Sequence, residues 1–141
     1  TCTNCKQRWT TINGVVFKLM AIEYKNKVVS VTSTGTDETV YTCPTSTSLI
    51  KYQAIIKTLT IFNTTGGAGT LYIRFFDSSA SSTDTIRVFG TSDFATVTTV
   101  NATDMGPLVL ESADALKIQA NVQPIRAYAS IMEISDELRG V

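Results

Sequence analysis

The sequence predicts an all-β fold, an antiparallel two-sheet β-sandwich of jelly-roll or immunoglobulin-like connectivity with an N-terminal arm. Three observations carry that expectation. Runs of β-branched and aromatic residues recur at short intervals from Thr39 to Ile134, separated by polar or glycine-containing breaks. No helical crossover lies between them, so the strands cannot pair in parallel. Charged residues make up only 17% against 43% apolar, with Thr and Ser abundant, a balance that suits many short strands better than a helical bundle. At 141 residues the chain fits one domain with an expected radius of gyration of about 14 Å.

Residues 1–33 read as the arm and residues 34–141 as the sandwich. The opening TCTNCKQRWTTING has no sustained apolar period and holds the only tryptophan. Arg8 and Trp9, with Val15 and Phe17 behind them, are the candidate interface residues, since Trp and Arg are over-represented where subunits meet; packing of Trp9 back on its own domain is the alternative. Val15–Tyr24 fits a helical face (Val16, Leu19, Met20, Tyr24) as well as a strand face (Val15, Phe17, Leu19). The Lys25-Asn26-Lys27 segment followed by Val28–Val31 favours a hairpin.

Thr32–Asp37 is a polar break and marks the boundary between arm and body. Thr39–Cys43 is a short strand stopped by Pro44, which cannot donate to a ladder. The centre of the chain is the pair of long runs ending at Phe76. Leu49–Asn63 and Thr70–Phe76 are joined by TTGGAG, whose glycines reach φ > 0 without strain, and they read as an antiparallel hairpin. In the first run Ile55, Leu59 and Ile61 share one face with Lys57, with a kink expected near Gln53. In the second, Leu71, Ile73 and Phe75 form the apolar face that meets them.

Further strands are expected at Ile86–Phe89, at Phe94–Val100 and after Gly106-Pro107. Ala115–Val122 shows the clearest alternation, with Leu116, Ile118, Ala120 and Val122 inward and Lys117, Gln119 and Asn121 outward. Arg126–Ile134 closes the series, giving seven or eight strands. An immunoglobulin domain proper would want two cysteines bridging the sheets over a buried tryptophan. Cys43 stands alone in the body, which favours a generic or jelly-roll sandwich.

Twelve basic and twelve acidic residues cancel, leaving no field that would concentrate the chain on a nucleic-acid backbone. No apolar run approaches the ~20 residues that cross a bilayer, and no signal peptide opens the chain, so a soluble protein made in a cytoplasm is expected. Without histidine there is no imidazole for general acid/base work or for a Ser-His or Cys-His nucleophile. Cys2, Cys5 and Cys43 would need a carboxylate or a second subunit to complete a zinc site. They read as reduced thiols, with Cys43 buried. Asp77, Asp84, Asp104, Glu111 and Asp114 could supply a glycosidase pair, and Asp77 and Asp84 could hold calcium, but they read as loop ends in which Asp bonds the nearby backbone. Gly66-Gly67-Ala68-Gly69 lacks the following Lys-Ser/Thr of a phosphate cradle. No enzyme activity, cofactor or metal is expected.

Several of these segments also carry a family likeness. Val40-Tyr41-Thr42-Cys43-Pro44, Ile55-Ile56-Lys57 leading to Ile61-Phe62-Asn63, the run from Gly106 through Leu110-Glu111-Ser112-Ala113-Asp114 to Ile118, and Ala129–Ile134 resemble small β-sandwich structural proteins of tailed bacteriophages, those of cyanophages and other marine phages among them. The likeness covers roughly residues 38–135 and departs from the family at Ala113, where glycine usually precedes the aspartate. It implies a virion component: a capsid decoration or cement protein first, otherwise a neck, tail or baseplate subunit. The partners it implies are the major capsid protein or other virion proteins, with a homo-oligomer, a trimer favoured, and no nucleic acid or membrane. A receptor- or carbohydrate-binding module is the alternative, with Tyr24, Tyr52, Tyr72 and Phe94 as its aromatic stock.

Overall fold

The computed structural model describes residues 19–32, 34–64, 69–80, 85–91, 97–101, 108–122 and 124–137. Nine strands lie among them: β1 Leu19–Val31, β2 Glu38–Thr42, β3 Ile50–Asn63, β4 Leu71–Phe76, β5 Thr85–Thr91, β6 Val97–Asn101, β7 Leu108–Leu110, β8 Ala115–Ala120 and β9 Ile125–Glu137. Among the described residues no helix is long and apolar enough to cross a membrane.

All pairings are antiparallel, and they form two sheets. One runs β1-β9-β3-β6, with β7 also on β3; the other runs β2-β8-β4-β5. The chain alternates between sheets from β1 to β4, forms a hairpin with β5, and returns so that β8 and β9 insert between earlier strands. This is the winding of a jelly roll rather than of an immunoglobulin domain. The inner faces close on one core, in which Ala54, Ile56, Leu59, Ile61, Leu110, Ala127, Ala129 and Ile131 of the first sheet meet Leu71, Ile73, Leu116 and Ile118 of the second. In β8 the expected alternation is found: Leu116, Ile118 and Ala120 are buried, with Lys117 and Gln119 facing out.

Three expectations need correction. Residues 19–31 are not a hairpin within an arm but one 13-residue strand that runs straight through Lys25-Asn26-Lys27. β9 supplies a partner of equal length, paired residue for residue from Leu19↔Glu137 to Val31↔Ile125, and no φ > 0 occurs at Asn26 to turn the chain. The polar break after β1 is a turn at residues 34–36, tied to the end of β8 by the bond from Gly35 N to Ala120 O, 2.9 Å. The remainder of the expected arm, residues 1–18, lies outside the described residues.

β3 and β4 do not pair as a hairpin. They belong to opposite sheets, so Leu71 and Ile73 meet Leu59 and Ile61 across the core rather than along a ladder. Two long β-rich runs with a glycine turn suit a sheet-to-sheet crossing as well as a hairpin, and β9, with its longer match to β3, takes that edge.

The inward face of β3 also changes along its length. Tyr52, Ala54 and Ile56 turn toward the core in the first half, and Leu59 and Ile61 in the second. The register to β9 slips between Ile56 and Thr58, so Lys57 is the extra residue of a β-bulge. Ile55 therefore faces outward, and the distortion falls at Lys57 rather than near Gln53. On its other edge β3 changes neighbour at the same place, from β7 (Ala54–Ile56) to β6 (Thr58–Phe62).

The strand expected over Phe94–Val100 is present as β6, Val97–Asn101, and its first residues, 94–96, lie outside the described residues.

Candidate interaction surface

In an antiparallel sheet, directly paired residues project from the same face. Tyr24 pairs with Met132, Met132 with Ile55, and Ile55 with Val109, so these four side chains form a row across β1, β9, β3 and β7. Their neighbours in the ladder, Glu133, Ala54 and Leu110, point into the sandwich and are buried. The row is therefore on the outer face of the five-stranded sheet. Ile22 pairs with Ile134 beside it, and Val28 with Tyr128. Tyr24 is 71% exposed, Val28 69% and Met20 52%, and Ile22, Phe62, Val109 and Tyr128 are exposed as well. Single exposed apolar residues are ordinary, whereas several in register on one face mark a surface that associates.

In its first half the amphipathicity of β1 is inverted. Met20, Ile22 and Tyr24 face outward while Glu23, Lys25 and Lys27 face the sandwich, whereas nearer its end Val29 and Val31 pack inward and Asn26 and Ser30 face out. Charges pointing inward on an edge strand discourage another chain from adding to that edge. The apolar outer row does the opposite for the face.

Lys25 and Glu133 belong to a polar knot that joins the two sheets. Glu133 accepts from Lys25 Nζ at 2.8 Å and from the hydroxyl of Tyr41 on β2. Lys25 also lies 3.4 Å from Glu23. A register slip between Thr39 and Tyr41 lets Val40 and Tyr41 both turn inward, and this bulge aims the phenol at Glu133. Burial, then the bond and charge of Glu133, push the Tyr41 phenol far above its ordinary range. Burial also pushes the Cys43 thiol up to about 11, with the charges of Glu133 and Asp114 adding to it. For Lys25, burial pulls downward, but the bond to Glu133 and the nearby carboxylates outweigh it and raise its pKa. Tyr41, Lys25 and Cys43 are thus all shifted toward their protonated forms around a contact that joins the two sheets.

A second knot closes the end of the sandwich. The Asp114 carboxylate accepts from Ser78 N at 2.9 Å, Ser78 Oγ at 3.0 Å and Glu111 N at 2.9 Å. Ser112 Oγ accepts from Ser46 N at 2.7 Å, and Ser46 Oγ in turn from Tyr52 N at 2.9 Å. Asp77 accepts from Ser79 N, Ser79 Oγ and Ala80 N, and these bonds lower its pKa. Both acids are the backbone caps their loop positions suggest. Ala113 takes the left-handed conformation, φ 65°, which favours glycine.

Beside this knot a groove of about 630 Å³ opens at the start of β1, with Met20, Tyr52 and Ile134 on its walls and Lys51, Glu111 and Asp136 at its rim. Among the described residues no cluster of three or more acids and cysteines could hold a metal ion.

Cys43 is buried and free, as its place after β2 suggests. Of the aromatic stock, Tyr24 is solvent-facing, Tyr52 packs against the core, and the ring of Tyr72 lies 5.8 Å from the Arg74 guanidinium. Arg8, Trp9, Val15 and Phe17 lie outside the described residues, as do Cys2, Cys5, Asp84, Phe94 and Asp104. Met132, Val109 and Val28 were not singled out by sequence. The signal for β1 was present as the alternation of Met20, Ile22 and Tyr24 with Glu23 and Lys25, but its inverted sense disguised it.

No family model matches the chain, and no curated protein matches it. Among solved structures it is similar to a chain of the disulfide-linked pili that form Bacillus endospore appendages, at 15% identity and a TM-score of 0.42, over 94% of this chain and 99% of that one. It is also similar to a chain of the cyanophage Pam1 capsid asymmetric unit, at 18% identity and a TM-score of 0.33, over 98% and 99%. Overlaps of this depth do not establish a common fold, and the architecture rests on the strand pairing itself.

Proposed function

We propose that this chain is a non-enzymatic structural protein of a tailed-phage virion, a capsid decoration or cement subunit that works by holding neighbouring subunits together. The observation that carries the reading is the outer row Tyr24, Met132, Ile55 and Val109, an apolar face on a sheet whose other side is already filled by the core. The strand-end motifs shared with small phage sandwiches give the reading its direction. Buried knots at Glu133 and Asp114 lock the sheets and loops, as a subunit under mechanical load requires. Residues 1–18, with Arg8, Trp9, Val15 and Phe17, serve as the reaching segment, and copies related by symmetry, trimers in the first instance, multiply weak contacts into lasting attachment.

The test is to produce particles with and without this chain, identify it in purified virions by mass spectrometry, and add the purified protein back to shells that lack it. Saturable binding that raises the temperature at which shells open is the expected result. Absence from purified virions sinks the proposal, and presence only in tail or neck fractions moves the chain to that part of the particle.

Tyr24 supports a second reading, a carbohydrate-binding module, because a solvent-facing tyrosine on a sheet is a sugar-stacking platform. Saturable glycan binding that Tyr24→Ala abolishes would favour it.

A further inference from the structure

We propose that the outer face of the five-stranded sheet seats residues 1–18 of a second copy of this chain, with Tyr24, Met132, Ile55 and Val109 as the apolar floor and the groove beside Met20 as one end of the track. The inference deepens the reading above by naming what covers the face, and it rests on that reading only for the idea that the chain works among copies of itself.

Three observations lead there. The first is where the segment leaves the fold: β1 opens at Leu19, opposite Glu137 near the end of β9, so the chain enters the sheet from beyond its edge and at the groove's end. The second is length. Eighteen extended residues reach up to about 60 Å, while the three strand spacings from β1 to β7 amount to about 15 Å. The third is composition, since the segment carries Trp9, Ile12, Val15, Val16 and Phe17 to match an apolar floor.

Trp9 is the only tryptophan in the chain, so its fluorescence reports the seat directly. The purified full-length protein is diluted through its association range while Trp9 emission and sedimentation are followed together. Expected is short-wavelength emission in the associated state that moves to the wavelength of a solvated indole as copies separate. Met132→Ser combined with Val109→Ser should raise the midpoint concentration by about tenfold or more, the equivalent of losing roughly 1.4 kcal/mol of contact. Both substitutions lie on the solvent side, so thermal unfolding of the separated subunit should be little changed, which keeps misfolding out of the reading.

Solvated emission at every concentration overturns the proposal. Buried emission that ignores dilution overturns it in favour of the segment's own subunit. A transition unmoved by the double substitution places the segment elsewhere. Association that survives deletion of residues 1–18 assigns the face to direct sheet-on-sheet contact between copies. None of these outcomes depends on virions, so a chain absent from particles would end the functional reading and leave this result standing.

Discussion

The carboxylate of Glu133 on β9 accepts a hydrogen bond from the hydroxyl of Tyr41 on β2, so one side-chain contact ties the two sheets together from inside. Lys25 completes the knot from β1. Glu133 is buried, and removing it strands a buried hydroxyl and a half-buried ammonium at once. Glu133→Ala should therefore cost about 2–4 kcal/mol, somewhat below a fully enclosed pair because Lys25 can turn to water. Glu133→Gln keeps an acceptor for Tyr41 and should cost less. Urea unfolding at pH 7 measures both, and a loss below about 0.5 kcal/mol for the alanine variant, the size of an ordinary surface change, would remove the knot from the account of stability.

The same cluster sets the alkaline limit. The Cys43 thiol moves up from 9.0 to about 11, and Tyr41 and Lys25 also move up. A group whose folded pKa lies above its unfolded value lends stability that is complete below the unfolded value and drains away as pH rises through the folded one. Stability should hold to about pH 9 and fall by roughly 2 kcal/mol from Cys43 alone by pH 11. Calorimetric Tm across this window should drop, and Cys43→Ala should flatten part of the slope. A Tm that rises with pH in that range contradicts the assignment.

Ala113 offers a gain. Holding a non-glycine residue left-handed costs about 1–2 kcal/mol, and glycine returns part of that as extra freedom in the unfolded chain. With φ at 65°, Ala113→Gly should stabilise by about 0.5–1 kcal/mol. Thermal unfolding should show a rise of a few degrees, and a lower Tm would mean that the alanine methyl is packed to advantage.

Gly69 behaves in the opposite way. A Cβ there would lie 2.4 and 2.6 Å from the two methyls of Val122 and 2.7 Å from Asn121 Oδ1, which accepts from Thr70 N. Gly69→Ala should cost about 1–3 kcal/mol, the usual range for overpacking. Val122→Ala makes room, so the double variant should be less destabilised than the two losses summed, as a double-mutant cycle in denaturant will show.

The fold class was legible because its signals are local: alternation in Ala115–Ala120, Pro44 after a short strand, and acids in loops that bond their own backbone. Ladder partners were not, because nothing local distinguishes β3 joined to β4 from β3 joined to β9. The bulge at Lys57 also lay beyond reach. Ile55 and Ile56 are chemically equivalent, and only the exchange of β7 for β6 beside them decides which enters the core. Much the same holds for the candidate surface. Tyr24 stood out as an aromatic, but the row it joins is assembled from four strands, and no spacing along the chain encodes it.

The place of β9 between β1 and β3 has a consequence for how the protein is made. β1 is translated more than ninety residues before the strand it pairs with, so the five-stranded sheet cannot close until residues 125–137 have left the ribosome. Closure of this sheet therefore waits on contacts distant in the chain, which form slowly. Until β9 arrives β1 lacks its ladder partner, and its exposed apolar positions let crowded nascent chains capture each other.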